Sequence, residues 1–163
     1  MRTEEFPLVI ISCGSDKHAV PSRAEDLYKG AFFRVCLNYA KTLTVPERIM
    51  ILSAKYGFVS LDDVIAPYNM KMGSKRAVEV RDMKRQAREL GIIDEKKVIA
   101  IGGVLYTGPC RKLWKFCRTP LQEGRGTMGM QMKWMKEQIE SSAEVPLGAR
   151  AFSSFSKEES DEE

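Results

Sequence analysis

Just beyond the apolar run Ile49 to Leu52 the sequence places Ser53, Lys55, Tyr56, Asp62, Asp63 and Tyr68 among the turn-forming residues Gly57 and Pro67. A cation, two carboxylates and two phenols in one connection are the ingredients of acid–base and electrostatic chemistry. Carboxylates stabilise developing positive charge or orient water, and ammonium and phenol groups stabilise developing negative charge. Loops that hold such side chains over a rigid scaffold are where binding and catalysis concentrate, although a solvated connection can have the same composition.

Those residues need a frame. Phe6 to Ile11, Arg48 to Ser53 and Lys97 to Gly103 are short runs rich in branched apolar residues, the pattern of strands buried on both faces. Between them, periodic apolar positions predict helices over about Glu25–Leu43, with Tyr28, Phe32, Val35 and Tyr39 facing the core, and over about Lys75–Leu90. A helix over about Pro109–Phe116, a short extended piece at Thr119–Leu121 and a last helix from about Thr127 complete the reading. Met128, Met132, Met135 and Ile139 form the apolar stripe of that last helix. The expected fold is α/β, a three-layer Rossmann-like domain over residues 1–140. Its sheet is mostly parallel, of about four strands, with helices on both faces and right-handed crossovers.

That topology has a chemical consequence. Parallel strands end on one edge, where ligands of open α/β folds bind, and all three strands end in small or polar residues. Ser12, Ser15, Lys17, Ser53, Lys55, Tyr56, Gly103 and Tyr106 are therefore expected to converge, and Cys13, at a strand end, can line a pocket there.

A chain of 163 residues suits one domain. No apolar run approaches the ~20 residues needed to span a bilayer. Met1-Arg-Thr-Glu-Glu leads into a strand without a signal-peptide core, so a cytoplasmic location away from membranes is expected. Cys13, Cys36, Cys110 and Cys117 form no C-x-x-C pair and His18 is the only histidine, so neither a metal nor another cofactor is expected. The net charge is +4, but residues 141–163 hold six acids against two bases, a net of −4, which leaves +8 on residues 1–140. A basic body attracts polyanions, nucleic acid above all, and the acidic segment 141–163 lacks apolar periodicity and reads as a mobile tail.

Two further features point to phosphate. Arg81, Lys84, Arg85 and Arg88 share one side of the helix over Lys75–Leu90, with only Glu79, Asp82 and Glu89 to offset them. The turn Gln122-Glu-Gly-Arg-Gly-Thr-Met-Gly129 opens the last helix, and its amides with Arg125 make a candidate anion site beside Gln131 and Trp134. It matches neither the P-loop nor the dinucleotide fingerprint.

The segments Ile11-Ser-Cys-Gly-Ser-Asp-Lys17, Asp26-Leu-Tyr-Lys-Gly-Ala-Phe-Phe33, Ile51-Leu-Ser-Ala-Lys-Tyr-Gly57 with Pro67-Tyr68, and Pro120-Leu121 with the glycines before Gln131 and Trp134 resemble a bacterial and phage family known as a domain of unknown function. More distantly, Tyr28-Lys-Gly30, Leu52-Ser-x-x-Tyr56-Gly57, Asp63, Pro67-Tyr68 and Met72-Gly73 are similar to the peroxide-stress YaaA family, which binds DNA. The Ile-Ser-Cys opening is also similar to a domain of archaeal enzymes that handle 7-deazaguanine in tRNA. These resemblances imply nucleic-acid or nucleobase chemistry, with base excision in defence against phages carrying modified DNA as one form of it. The chain is shorter than the YaaA pattern, so that family's additional DNA-binding portion is not expected in it.

The function expected from residues and resemblance together is cleavage of an N-glycosidic bond in DNA, most simply by a glycosylase for modified bases. Cleavage develops positive charge on the sugar, which a carboxylate facing C1′ stabilises, and negative charge on the departing base, which donors stabilise. Asp63 is the first choice of carboxylate because it falls on the YaaA aspartate, and Asp62 the second; one of them can instead cap a turn. Lys55 or Tyr56 would serve the leaving base. Ser12, Cys13, Ser15, Lys17, Tyr28, Ser53, Tyr68, Gly103, Tyr106 and Gln131 would contact the nucleobase or nucleotide. Tyr68 and Tyr106 suit stacking on a flipped base, and equally suit a core position with one wet end. Arg81, Lys84, Arg85, Arg88 and Arg125 would meet DNA phosphates. Two rivals stand beside this reading: a non-catalytic DNA-binding protein, and an N-glycosidase or transferase for free nucleosides or nucleotides.

Overall fold

The computed structural model describes residues 6–143 and 147. A run of branched apolar residues such as Leu8-Val-Ile-Ile11 needs a covering layer on each side, and β1 (Leu8–Ser12) is buried at every position, its closing Ser12 included. It is followed by β2 (Ser22–Arg23), α1 (Ala24–Leu27), α2 (Ala31–Leu43), β3 (Ile49–Ser53), β4 (Gly57–Ser60) and β5 (Val64–Ile65). Next come α3 (Val80–Glu89), β6 (Val98–Ile101), α4 (Val104–Leu113), β7 (Cys117–Arg118) and α5 (Met128–Ser142). The five-stranded sheet runs β4-β3-β1-β6-β7, with β2 and β5 paired separately. In the five-stranded sheet β1 lies parallel to β3 and β6, and β7 parallel to β6, while β4 is antiparallel, folded back on β3; the β2–β5 pair is antiparallel as well.

Side chains of β1 alternate between two cores. Val9 and Ile11 pack with Phe33, Leu37 and Ala40 of α2 and Met135 of α5. Leu8 and Ile10 pack with Met83 and Ala87 of α3, Cys110 of α4 and Trp114. Each fully buried branched side chain contributes about 1.5–3 kcal/mol relative to exposure. Three layers result, helix on sheet on helix, as the alternating strand and helix patterns predict.

Several element bounds differ from expectation for local reasons. The stretch expected as one helix from Glu25 to Leu43 breaks at Tyr28–Gly30. Tyr28 forms a β-bridge with Lys17, and Gly30 is the extended N-cap of α2. The helix expected from Lys75 starts at Val80: the Val78 amide donates to the Ala54 carbonyl (2.9 Å), and Glu79 and Asp82 then form a reciprocal capping box. The expected helix over Pro109–Phe116 is α4, which starts directly after Gly103 and holds Pro109 in its interior. The fourth parallel strand lies at Cys117–Arg118 rather than at Thr119–Leu121, where the expected extended piece gives way to a 3-10 turn over Pro120–Gln122, opened by its proline. Met128 is exposed in the first turn of α5, while Met135, on the same stripe, is fully buried. The acidic segment expected as a tail from 141 lies outside the described residues except for 141–143 and 147; Ser141 and Ser142 belong to α5.

Candidate functional site

β1, β3 and β6 are parallel neighbours, so Ser12, Ser53 and Gly102 end on the same edge. The edge is closely fitted. The Cys13 amide donates to the Leu52 carbonyl (3.1 Å), and Gly102 takes a φ of 153°, where an added Cβ would lie 2.4 Å from the Ser12 Oγ. Only glycine combines that backbone with that approach.

Ser53 organises the next layer. Fully buried, its Oγ accepts the amides of Lys55 (3.2 Å) and Tyr56 (3.0 Å) and donates to the Tyr68 phenol (2.8 Å). The Tyr68 oxygen also lies 2.7 Å from that of Tyr28. A second polar pair, Cys13 Sγ and the Tyr106 hydroxyl, stands at 3.3 Å between the ends of β1 and β6. Tyr56 meets Tyr68 edge-on with ring centroids 5.5 Å apart, and its hydroxyl donates to the Ala66 carbonyl (3.3 Å). The Lys17 Nζ lies 4.4 Å from the Tyr68 ring centroid and 5.7 Å from that of Tyr28.

The electrostatics follow from burial. Tyr28 is pushed up to about 12, chiefly by burial. Burial likewise raises Tyr68 and Tyr106 well above the ordinary phenol value, with the Cys13 thiol adding to the effect at both. All three are neutral hydroxyls at physiological pH. Lys17 moves the other way: burial lowers its amine below the usual lysine value, against the opposing pull of Cys13 and Asp16. The edge therefore presents neutral phenols, a thiol, a buried hydroxyl and an amine. Such a set suits a planar, polar-edged ligand, which phenol rings can stack and hydroxyls can read.

Of the residues expected to converge, Ser12, Lys17, Ser53, Tyr56 and Tyr106 lie at this edge, and Cys13, Tyr28 and Tyr68 join them. The remaining site residues are placed differently. The Asp62 side chain is 81% exposed and paired with Arg23. Asp63 accepts the Ser60 amide (2.9 Å) through Oδ2, and its carbonyl accepts the Ala24 amide (2.7 Å), so it closes the turn after β4 and ties it to α1. Among the described residues neither Asp63, the first choice of carboxylate, nor Asp62, the second, is bonded to the tyrosine cluster. Short acidic side chains stabilise turns by bonds such as that from the Ser60 amide to Asp63. Lys55 is exposed and lies beside the outer Tyr56 ring, 5.2 Å from its centroid. Ser15 is exposed and offers its carbonyl to Lys17 (3.3 Å), and Gly103 serves as the N-cap of α4. Gln131 donates to the Leu121 (3.5 Å) and Gly126 (3.2 Å) carbonyls, which fastens the glycine-rich turn to α5. Arg125 stacks on Trp134 at 4.1 Å.

On α3 all four cations are exposed. Arg81 and Arg85 stand 3.7 Å and 3.6 Å from Glu79 and Asp82, whereas Lys84 and Arg88 form no ion pair among the described residues. A shallow groove lined by Asn69, Met70, Lys71, Ser74, Lys75 and Arg76 extends the basic surface from the segment that follows Tyr68. Sequence reasoning passed over those three cations because they fall in a segment read as loop and helix start. It also passed over Gln86, whose amide accepts from Phe58 N (3.0 Å) and donates to the Tyr56 carbonyl (2.9 Å), locking the β3–β4 hairpin. No local signal marks a glutamine for that task. Among the described residues no group of three or more His, Cys, Asp or Glu side chains is placed to hold a metal ion, and no helix is long and apolar enough to cross a membrane.

Comparison with known proteins gives a family without an activity. The model of a family of unknown function, DUF6884, matches residues 8–137. The uncharacterized protein YfjM of Bacillus subtilis (strain 168) is 35% identical over 108 residues, covering 61% of this chain and 71% of YfjM. No solved structure matches.

Proposed function

The chain belongs to the DUF6884 family of unknown function, and from that premise we propose that it is a DNA-acting enzyme that takes a modified nucleobase into the strand-edge cluster and breaks its N-glycosidic bond. The observation that carries the reading is the Ser53–Tyr68–Tyr28 hydroxyl chain facing the Cys13–Tyr106 pair and Lys17 at one edge of a parallel sheet. A base flipped from a duplex loses a few kcal/mol of stacking and pairing, and stacking on an aromatic ring returns about 1–3 kcal/mol. Tyr56, Tyr68 and Tyr106 are the rings at this edge. Neutral hydroxyls held protonated by burial, with the Lys17 amine beside them, are donors for the negative charge that develops on a departing base. The cations of α3 and of the Lys71–Arg76 segment supply the phosphate contacts that bring DNA to that edge.

A specific observation favours a second reading, a DNA-binding protein without turnover: both loop aspartates have structural work outside the cluster. Base release separates the two. Duplexes carrying a panel of modified bases, and a plain duplex, are incubated with the protein and the supernatant is analysed for free base by mass spectrometry. The enzyme reading expects release from at least one modified duplex and its loss in Tyr68→Ala. Tight, salt-dependent DNA binding with no base released across the panel contradicts it and selects the second reading.

A further inference from the structure

With Asp62 and Asp63 engaged elsewhere, the group best placed for covalent chemistry at the strand edge is an amine. Its backbone is fixed on both sides: Lys17 bridges to Tyr28, the His18 amide donates to the Leu27 carbonyl (2.9 Å), and the Lys29 amide donates to the Asp16 carbonyl (3.0 Å). The stem therefore carries Nζ to a set place, over the Tyr68 ring at 4.4 Å and touching the Ser15 carbonyl at 3.3 Å. The nearest carboxylate in sequence, Asp16, is drawn to Lys29 (3.9 Å), and Lys17 forms no ion pair among the described residues. A lysine amine held in place, partly desolvated and without an ion-pair partner among the described residues is the setting in which lysine becomes a nucleophile toward carbonyl carbon. Burial favours its neutral form.

We propose that Lys17 is the nucleophile of an abasic-site lyase activity, acting on the 2-deoxyribose left in DNA when a base has gone. The proposal rests on the N-glycosidic reading for the placement of DNA at this edge. The neutral Nζ adds to the C1′ aldehyde of the open-chain sugar, and uptake of a proton from solvent with loss of water gives an iminium. A C2′ proton then passes to water, the electron pair forms the C2′–C3′ double bond, and the C3′–O bond breaks with departure of the 5′-phosphorylated strand. Hydrolysis of the iminium returns the lysine and leaves an unsaturated aldehyde on the other strand end. No redox partner takes part and atoms balance at each step.

The test uses the full chain and a duplex with one abasic site made by removing uracil. Sodium borohydride reduces the iminium to a stable secondary amine, seen as a protein–DNA adduct on a denaturing gel and located by peptide mapping. The expected results are an adduct mapped to Lys17, strand scission at the abasic site without borohydride, and an adduct yield at least about tenfold lower in Lys17→Arg but within about twofold of wild type in Lys41→Arg, at an exposed lysine of α2. No adduct, an adduct mapped elsewhere in the wild-type chain, or a yield unchanged in Lys17→Arg overturns the proposal. Mapping on the wild type locates the nucleophile however well the variant folds. Base release, followed separately, divides the two readings: release without an adduct overturns the lyase alone, and an adduct without release supports the lyase and removes the glycosidic cleavage.

Discussion

The Ser53 hydroxyl donates to the Tyr68 phenol over 2.8 Å while accepting two backbone amides from the turn that leads to β4. One buried oxygen thus ends a central strand, starts a hairpin and sets the direction of the most deeply placed ring of the loop. Tyr68 in turn positions the Lys17 amine through its face and Tyr28 through its oxygen. The geometry of the candidate site is therefore a product of how β3 ends.

Ser53→Ala removes that oxygen and leaves two amides and a phenol without it. Unmade bonds at buried groups cost about 1–3 kcal/mol. Denaturant unfolding should show a loss in that range, and Lys17 should become more reactive toward amine-modifying reagents as the Tyr68 ring loosens. A loss under about 0.5 kcal/mol would show that water replaces the hydroxyl there.

Gly102→Ala should destabilise by more than about 1 kcal/mol, because both the backbone angle and the contact with Ser12 oppose a side chain. The partner substitution sharpens the test. An added Cβ would also lie 2.5 Å from the Ser12 Cβ, so Ser12→Ala should fail to rescue and Ser12→Gly should recover part of the loss. Thermal unfolding of the single and double variants measures both.

Reversing Lys84 and Arg88, the α3 cations without ion pairs among the described residues, should weaken DNA association. If each meets one phosphate, the slope of log affinity against log salt should fall by about 1 per cation. Fluorescence anisotropy over a salt series gives the slope, and an unchanged slope would move the DNA path off α3.

How much of this was legible beforehand depends on the range of the interactions. β1, β3 and β6 announce themselves as branched apolar runs, and a parallel sheet then requires their ends to share an edge, so Ser12, Ser53 and Gly103 were placed on one rim without coordinates. The four residues of β4 were not, since Gly57-Phe-Val-Ser60 is too short to show a period. Asp63 in a loop was the first choice of carboxylate, and its 2.9 Å bond from the Ser60 amide, a turn-forming contact, depends on where β4 ends. The Cys13–Tyr106 pair spans 93 residues of sequence, and the helix start that delivers Tyr106 to the thiol follows from the position of β6 in the sheet.

The buried phenols make stability depend on alkali. Tyr28 and Tyr39 hold their protons to about 12 in the folded chain, whereas an unfolded tyrosine releases its proton near pH 10. Their contribution is fully present below pH 10 and is lost as pH rises towards 12, about 2–3 kcal/mol for each. Unfolding free energies measured at about pH 9 and pH 11 should show the decline, and Tyr39→Phe should make it shallower. An equal decline in that variant would assign it to other groups.

A nucleobase bound at the rim formed by β1, β3 and β6 can be trapped there by photo-crosslinking with DNA containing a halogenated pyrimidine, followed by mass-spectrometric mapping of the attached residue. Attachment at Tyr56, Tyr68 or Tyr106 is expected. Attachment confined to α3 or to the start of α5, with none of these tyrosines marked, would rule that placement out.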